Sequence, residues 1–177
     1  MPQPFQHNEL QLKQQFLQLA RDYYEKASSD DASFQDELAA AVLYMNLADY
    51  LAEYLVVGFT EMLVEAMKTY YLGAVSYKPP QGQKFNIDKS IGILERYDFS
   101  GKEEIMAELK EVKESRNILA HQMLKLKARD THKIDDAVNN LRNHTETLVV
   151  LIDEVAQDLP PMNLKNFAAT SDTRKAK

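Results

Sequence analysis

Between Glu114 and Met123 the chain reads ESRNILAHQM, and three of its side chains, Arg116, Asn117 and His121, are of types that act on phosphate esters. Arginine carries five N–H donors in a planar fork that fits phosphate oxygens, and it stays charged at any working pH. Histidine exchanges protons near neutral pH and can take one from, or return one to, a reacting hydroxyl. On a helix turning about 100° per residue, the five-residue step from Arg116 to His121 separates them by roughly 140°, whereas Asn117 and His121 stand one turn apart on one face. The set could move a proton and stabilise negative charge at a phosphate.

The segment that carries these residues must be a helix. Ser100 with Glu103 has the form of a capping box, and it predicts a helix over about 101–123. Its apolar spacing through Ile105, Leu109 and Val112 continues to Arg116, Leu119 and Met123, which puts the guanidinium in the packing seam. A charge in a seam is costly unless it meets a partner. The acids beside the apolar stripe of the preceding long segment, Asp49 and Glu53, are the expected partners. A guanidinium held by one of them presents its remaining donors in a fixed direction, as phosphate recognition requires. Past the helix, LKLKARDTHK brings Lys125, Lys127, Arg129 and Lys133 together in an otherwise acidic chain. Such a connector is either a solvated surface or a strip that follows a nucleic-acid backbone.

The rest of the chain predicts an all-α fold. It has 177 residues, 45% of them hydrophobic, enough for one core, so residues 1–159 are expected to form one domain. Its five glycines and six prolines leave long stretches free for helices, the prolines being Pro2, Pro4, Pro79, Pro80, Pro160 and Pro161. Asn8 is a candidate cap for a first helix over 9–27 with Leu12, Phe16, Leu19 and Tyr23 inward. Ser33 and Asp36 open the longest periodic segment, whose stripe runs from Phe34 through Ala41, Met45, Ala52 and Phe59 to Leu63 and Tyr70. Between 43 and 57 its other side is apolar too, with Leu43, Leu47, Tyr50, Leu51 and Tyr54, as a central bundle helix or a subunit interface requires. A proline- and glycine-bearing loop over Gly73 to Asn86, a short helix over Asp88 to Arg96, and a final helix over Lys133 to Asp158 complete the bundle. The final helix has Ile134, Val138, Leu141, Thr145, Leu148, Ile152, Val155 and Leu159 inward. The expected architecture is thus an antiparallel bundle of four to five helices around one long helix, followed by a disordered polar tail over 160–177.

Several function classes lack their residues. The chain has no cysteine, which removes disulfides, thiolate metal sites and cysteine nucleophiles. It has no glycine-rich phosphate loop, no GxSxG and no HExxH, and His7, His121, His132 and His144 are not spaced as metal ligands. Neither a metal nor another cofactor is expected. A net charge of −6 argues against nonspecific coating of nucleic acid and says little about a small local site. The N-terminus is not a secretory signal, and no apolar run approaches membrane-spanning length, so a cytoplasmic location without a membrane partner is expected.

In its helical setting, SRNILAHQ resembles the motif of HEPN domains, helical bundles named for higher eukaryotes and prokaryotes nucleotide-binding proteins. The resemblance extends over residues 34–158 in predicted architecture, and its specific part is Arg116, Asn117 and His121. It implies a metal-independent endoribonuclease in which Arg116 and His121 form the active-site pair and Asn117 supports the arginine. It also implies a homodimer whose motif helices meet at one composite site, RNA as substrate, and a toxin or defence role with an antitoxin or other regulatory partner. The branch of toxins controlled by modification has tyrosine two places after the histidine; here that place holds Met123, and such control is not implied. Two other readings stay open. One is a noncatalytic HEPN-type module that dimerises or binds a nucleotide or partner. The other is a purely structural bundle in which Arg116 is a satisfied ion pair.

Overall fold

The structure, a computed structural model, describes residues 4–29, 33–70, 86–124 and 131–157. These form five helices, α1 (Pro4–Ala27), α2 (Phe34–Tyr70), α3 (Ile87–Leu94), α4 (Lys102–Leu124) and α5 (Thr131–Ala156), with no strand among the described residues. The all-α expectation stands. The expected loop before α3, the polar tail and Leu159 lie outside the described residues.

Local chemistry sets several helix ends. At α2 the capping box forms as expected: the Asp36 N–H donates to Ser33 Oγ at 3.3 Å, and the Ser33 N–H donates to Asp36 Oδ2 at 3.1 Å. Asn86 caps α3 by accepting the Lys89 N–H at 3.0 Å. At α4 the expected Ser100–Glu103 box does not form among the described residues. Gly101 sets that start instead, with a φ of 73° open to a residue without Cβ, and its carbonyl accepts the Ile105 N–H at 3.0 Å. α1 begins at Pro4, so Asn8 lies within the helix and does not cap it. A proline fits a first turn, where its missing N–H is not needed.

α2 is the central helix, unbroken through Gly58 and packed by α1, α3 and α5. Tyr44, Leu47, Leu51, Leu55 and Val57 are fully buried on it, so the apolar surface of 43–57 is mostly consumed within the chain. The span Phe34–Met67 is long and apolar enough to cross a membrane, contrary to the expectation that no run approaches that length, and 56% of an 18-residue window within it is buried inside the bundle. α5 buries Ile134, Val138, Leu141, Thr145, Leu148 and Ile152, as its spacing predicts.

α1 corrects the sequence reading. Its covered residues are Lys13, Leu17, Ala20 and Tyr24, one position round from the predicted face, and Phe16 and Leu19 stay 46% and 44% exposed. Polar ties decide this. Lys13 pairs with Asp153, and Tyr24 donates its hydroxyl to Asn139. Arg21 grips Glu146 through Nε at 3.1 Å and Nη2 at 2.9 Å. Glu146 also accepts the hydroxyl of buried Tyr44 at 3.0 Å, so one carboxylate joins α1, α2 and α5. The arginine bond holds the Glu146 carboxyl below its usual range despite burial, while burial and the bond to Glu146 push the Tyr44 hydroxyl far up.

Candidate functional site

α4 lies in the cleft between α2, α3 and α5, and runs antiparallel to α2. Tyr97 and Phe99, just before α4, stack on Phe59, while Arg116 further along reaches Asp49. α3 is tied to α4 by Asp88 and Lys113 at 2.8 Å. Asp49 Oδ1 accepts the Ile87 N–H at the start of α3 at 2.8 Å, and the Arg116 guanidinium stands 3.7 Å from the same oxygen. A negative charge at a helix N-terminus is favoured by the macrodipole, so Asp49 is oriented from two sides.

The seam of α4 does not pass through Arg116. Ser115, 2% exposed, takes the inward place after Val112, and the line continues through Leu119 and Gln122. At about 100° per residue these three lie to one side of the line through Ile105 and Leu109, so the covered face rotates along the helix and leaves Arg116 at its edge. The Arg116 side chain is 37% exposed, yet its Nη1 is enclosed and makes no hydrogen bond among the described residues. The cation is thus held by charge rather than by a bidentate fork.

Glu53, one turn along α2 from Asp49, makes no ion pair among the described residues. Burial, with the neighbouring Asp49 charge adding, raises its carboxyl above the ordinary range. Of the two acids beside the stripe, Asp49 meets Arg116 and Glu53 is its half-buried neighbour.

Asn117 and His121 are both exposed, one turn apart, with exposed Ala120 between them. Among the described residues neither side chain has a hydrogen-bond or ion-pair partner. Lys133 lies exposed in the first turn of α5; Lys125, Lys127 and Arg129 fall outside the described residues, so the basic connector is placed only at its last member.

Comparison with protein-family models, with curated proteins and with solved structures finds no match. The site therefore rests on its own residues. Among those described, no group of three or more histidines and acids is placed to hold a metal ion. An open cleft of about 760 Å³ lies at the other end of α4, lined by Glu95, Asp98, Lys102, Glu104 and Lys110, away from the Arg116 turn.

Two polar features had no signal in the sequence. His144 Nδ1 lies 2.6 Å from Glu108 Oε2, joining α5 to α4, and Ser115 and Gln122 are buried beside the Arg116 turn. Both depend on which helices become neighbours. What the Arg116 turn offers chemically is a cation held at its edge by Asp49, with an amide and an imidazole on the exposed side.

Proposed function

We propose that this chain is an HEPN-like, metal-independent endoribonuclease that cleaves RNA through the substrate's own 2′-hydroxyl. His121 moves the protons, a role worth about 10² to 10⁴ in rate. Arg116 stabilises charge on the phosphorane, where one preorganised donor is typically worth about 10² to 10³. Asn117 supports the phosphate beside it, and Asp49 positions the arginine, with Glu53 behind. The supporting observation is the combination of an edge arginine held by Asp49 with Asn117 beside it and His121 one turn further on, both open to solvent. A histidine enclosed by its own chain would have argued for scaffolding instead. Two copies meeting at this face would supply two of each group, and Lys133 with the rest of the basic connector would follow the RNA backbone. A toxin or defence role with a regulatory partner, and a cytoplasmic location, follow from the resemblance and the composition alone.

The test is incubation of the purified chain with RNA in the presence of chelator. Cleavage that falls at least about a hundredfold in His121→Ala and in Arg116→Lys supports the proposal. No cleavage, or cleavage unchanged in both variants, overturns it.

A noncatalytic module is the second reading, and one observation favours it. The open face of α4 that holds Asn117 and His121 also holds exposed Glu103 and Glu114 with Lys110 between them, so its balance of charge repels a phosphate backbone. That module binds a protein or nucleotide without cutting RNA, and the same assay separates the two.

A further inference from the structure

The short helix α3 leaves a lane open beside α2 and α4. It starts at Ile87, whose N–H reaches Asp49, and its Asp88 pairs with Lys113 of α4. From there it runs with α2 toward the level of Phe59, where Tyr97 and Phe99 stack. Toward the other end of α2, none of the described elements continues along that lane, yet both walls do. On α2, Val42 lies seven residues before Asp49, within roughly 20° of the same direction and about 10.5 Å along the axis; Met45, four before, is within roughly 40°. On α4, Ala120 lies four residues beyond Arg116, roughly 40° toward the side on which Lys113 meets α3, and about 6 Å along. The two helices are antiparallel and touch at Arg116 and Asp49, so both steps lead the same way.

The floor of the lane is apolar: Val42 is 41% exposed, Met45 is half-buried and Ala120 is exposed. Amides stand at its margin. Asn46 is exposed, roughly 60° round α2 from Asp49 on the side turned from the core. Half-buried Asn86 stands at the head of the lane, where its Oδ1 caps α3 by accepting the Lys89 N–H. At the same head the Arg116 side chain is 37% exposed. No charged residue occurs in the eleven positions between Glu37 and Asp49, so along this wall only Asp49 itself opposes an anion. The width is that of the helix the lane lacks, about 10 to 12 Å.

We propose that this lane seats one nucleobase of the RNA, its face on Val42, Met45 and Ala120, its edge toward Asn46 and Asn86, and the adjoining phosphate on Arg116. The inference rests on the nuclease reading for its substrate and adds to it a place that holds the base. Charge complementarity chooses this occupant. A phosphate answers the cation at the head of the lane, whereas an apolar segment of a protein would leave Arg116 with no anion beyond Asp49. A flat base also needs what the lane combines, an apolar surface for its face and amide donors and acceptors for its edge. Only a base out of its stack can enter, because the faces of bases within a duplex are covered.

The lane borders the proposed site. Round α4 from Arg116, Ala120 lies at roughly 40°, Asn117 at roughly 100° and His121 at roughly 140°, all in one direction. A strand whose base lies against Ala120 therefore passes its sugar toward the open side that holds Asn117 and His121. The lane faces the α3 side of α4, roughly 60 to 100° from the turn where two copies are proposed to meet, so pairing there and a seated base are compatible.

Fluorescence anisotropy on the full chain tests this, with a labelled single-stranded 2′-O-methyl oligoribonucleotide whose blocked hydroxyls prevent cleavage. A strand of the same length and charge built of abasic units is the second probe. Wild type is expected to bind the base-bearing strand at least about tenfold more tightly than the abasic one. Val42→Glu, which puts an acid in the lane, is expected to weaken binding of the base-bearing strand at least about tenfold, with helical content and Tm unchanged because the site is exposed. Phe16→Glu, the same charge on an exposed position of α1, is expected to change it less than about twofold. No binding by wild type, equal binding of the two strands, or a loss in Val42→Glu no larger than that in Phe16→Glu overturns the lane. Cleavage of ordinary RNA by the same samples separates the two proposals. Base-dependent binding that Val42→Glu abolishes, with no cleavage by wild type, keeps the lane and removes the nuclease. Cleavage that Val42→Glu leaves undiminished at subsaturating RNA removes the lane from the reaction.

Discussion

Arg116 and Asp49 stand 3.7 Å apart, and the Asp49 oxygen they share with α3 also accepts the Ile87 N–H at 2.8 Å. One carboxylate therefore orients the cation of the candidate site and anchors the short helix before it. Loss of the carboxylate should cost more than loss of the ion pair, because a half-exposed pair is worth only about 0 to 1 kcal/mol. Asp49→Ala, which also strands the Ile87 N–H, is expected to lower stability by about 1 to 3 kcal/mol in urea unfolding. Asp49→Asn, which keeps an acceptor, should cost clearly less. Equal losses in the two variants would show that the backbone bond contributes little.

Glu53 should be a liability at neutral pH. Its folded-state pKa is raised by burial and by Asp49, so the folded chain holds its proton more tightly than the unfolded chain. The contribution of this group is then most favourable below the ordinary glutamate range and is lost as pH rises through the folded value. Glu53→Gln is expected to raise Tm at neutral pH, and the gain should shrink as the pH falls below that range. A variant less stable than wild type at neutral pH would contradict the assignment.

Glu146 predicts the opposite trend. Its carboxyl is held low by Arg21, with Tyr44 adding a bond, so it stabilises above the ordinary glutamate range and that stability is lost as pH falls through the lowered value. Glu146→Ala should cost about 1 to 3 kcal/mol at neutral pH by leaving the Tyr44 hydroxyl without its acceptor. Tyr44→Phe, which removes that hydroxyl, should cost about 0.5 to 1.5 kcal/mol. The deficit of Glu146→Ala should narrow in acid, as equilibrium unfolding across pH would show.

The face of α1 is testable by size. Ala20 is fully enclosed where α1 meets α2, and Ala20→Leu should overpack that contact at about 1 to 3 kcal/mol. Phe16→Ser, on the open side, should leave the stability of the isolated chain within about 0.5 kcal/mol. If Phe16→Ser proves the costlier of the two, the face implied by the spacing of Leu12, Phe16, Leu19 and Tyr23 is the right one after all.

Which parts were legible depends on how local the signal is. The stripe Ile134, Val138, Leu141, Thr145, Leu148, Ile152 has a single apolar solution, and α5 buries it as written. α1 offers two rows, and hydrophobicity alone chose Phe16 and Leu19. The fold chose the row of Lys13 and Ala20, because Ala20 lets α1 approach α2 closely and Lys13, Arg21 and Tyr24 find partners on α5. At α4 the spacing pointed to Arg116 as the seam residue, and the packed helices put Ser115 there. A covered face that rotates along a helix follows from the neighbours, and no count along one strand of sequence reports it.

By itself the sequence determined the all-α class, most of the helix spans, and the placing of Asn117 and His121 on one face, because these follow from backbone periodicity, capping and the absence of breakers. Only the tertiary structure decided that Asp49 rather than Glu53 meets Arg116, that His144 meets Glu108, and that Glu146 joins three helices. Each of these is a contact between residues far apart in the chain, fixed by how helices cross and which small side chains let them approach.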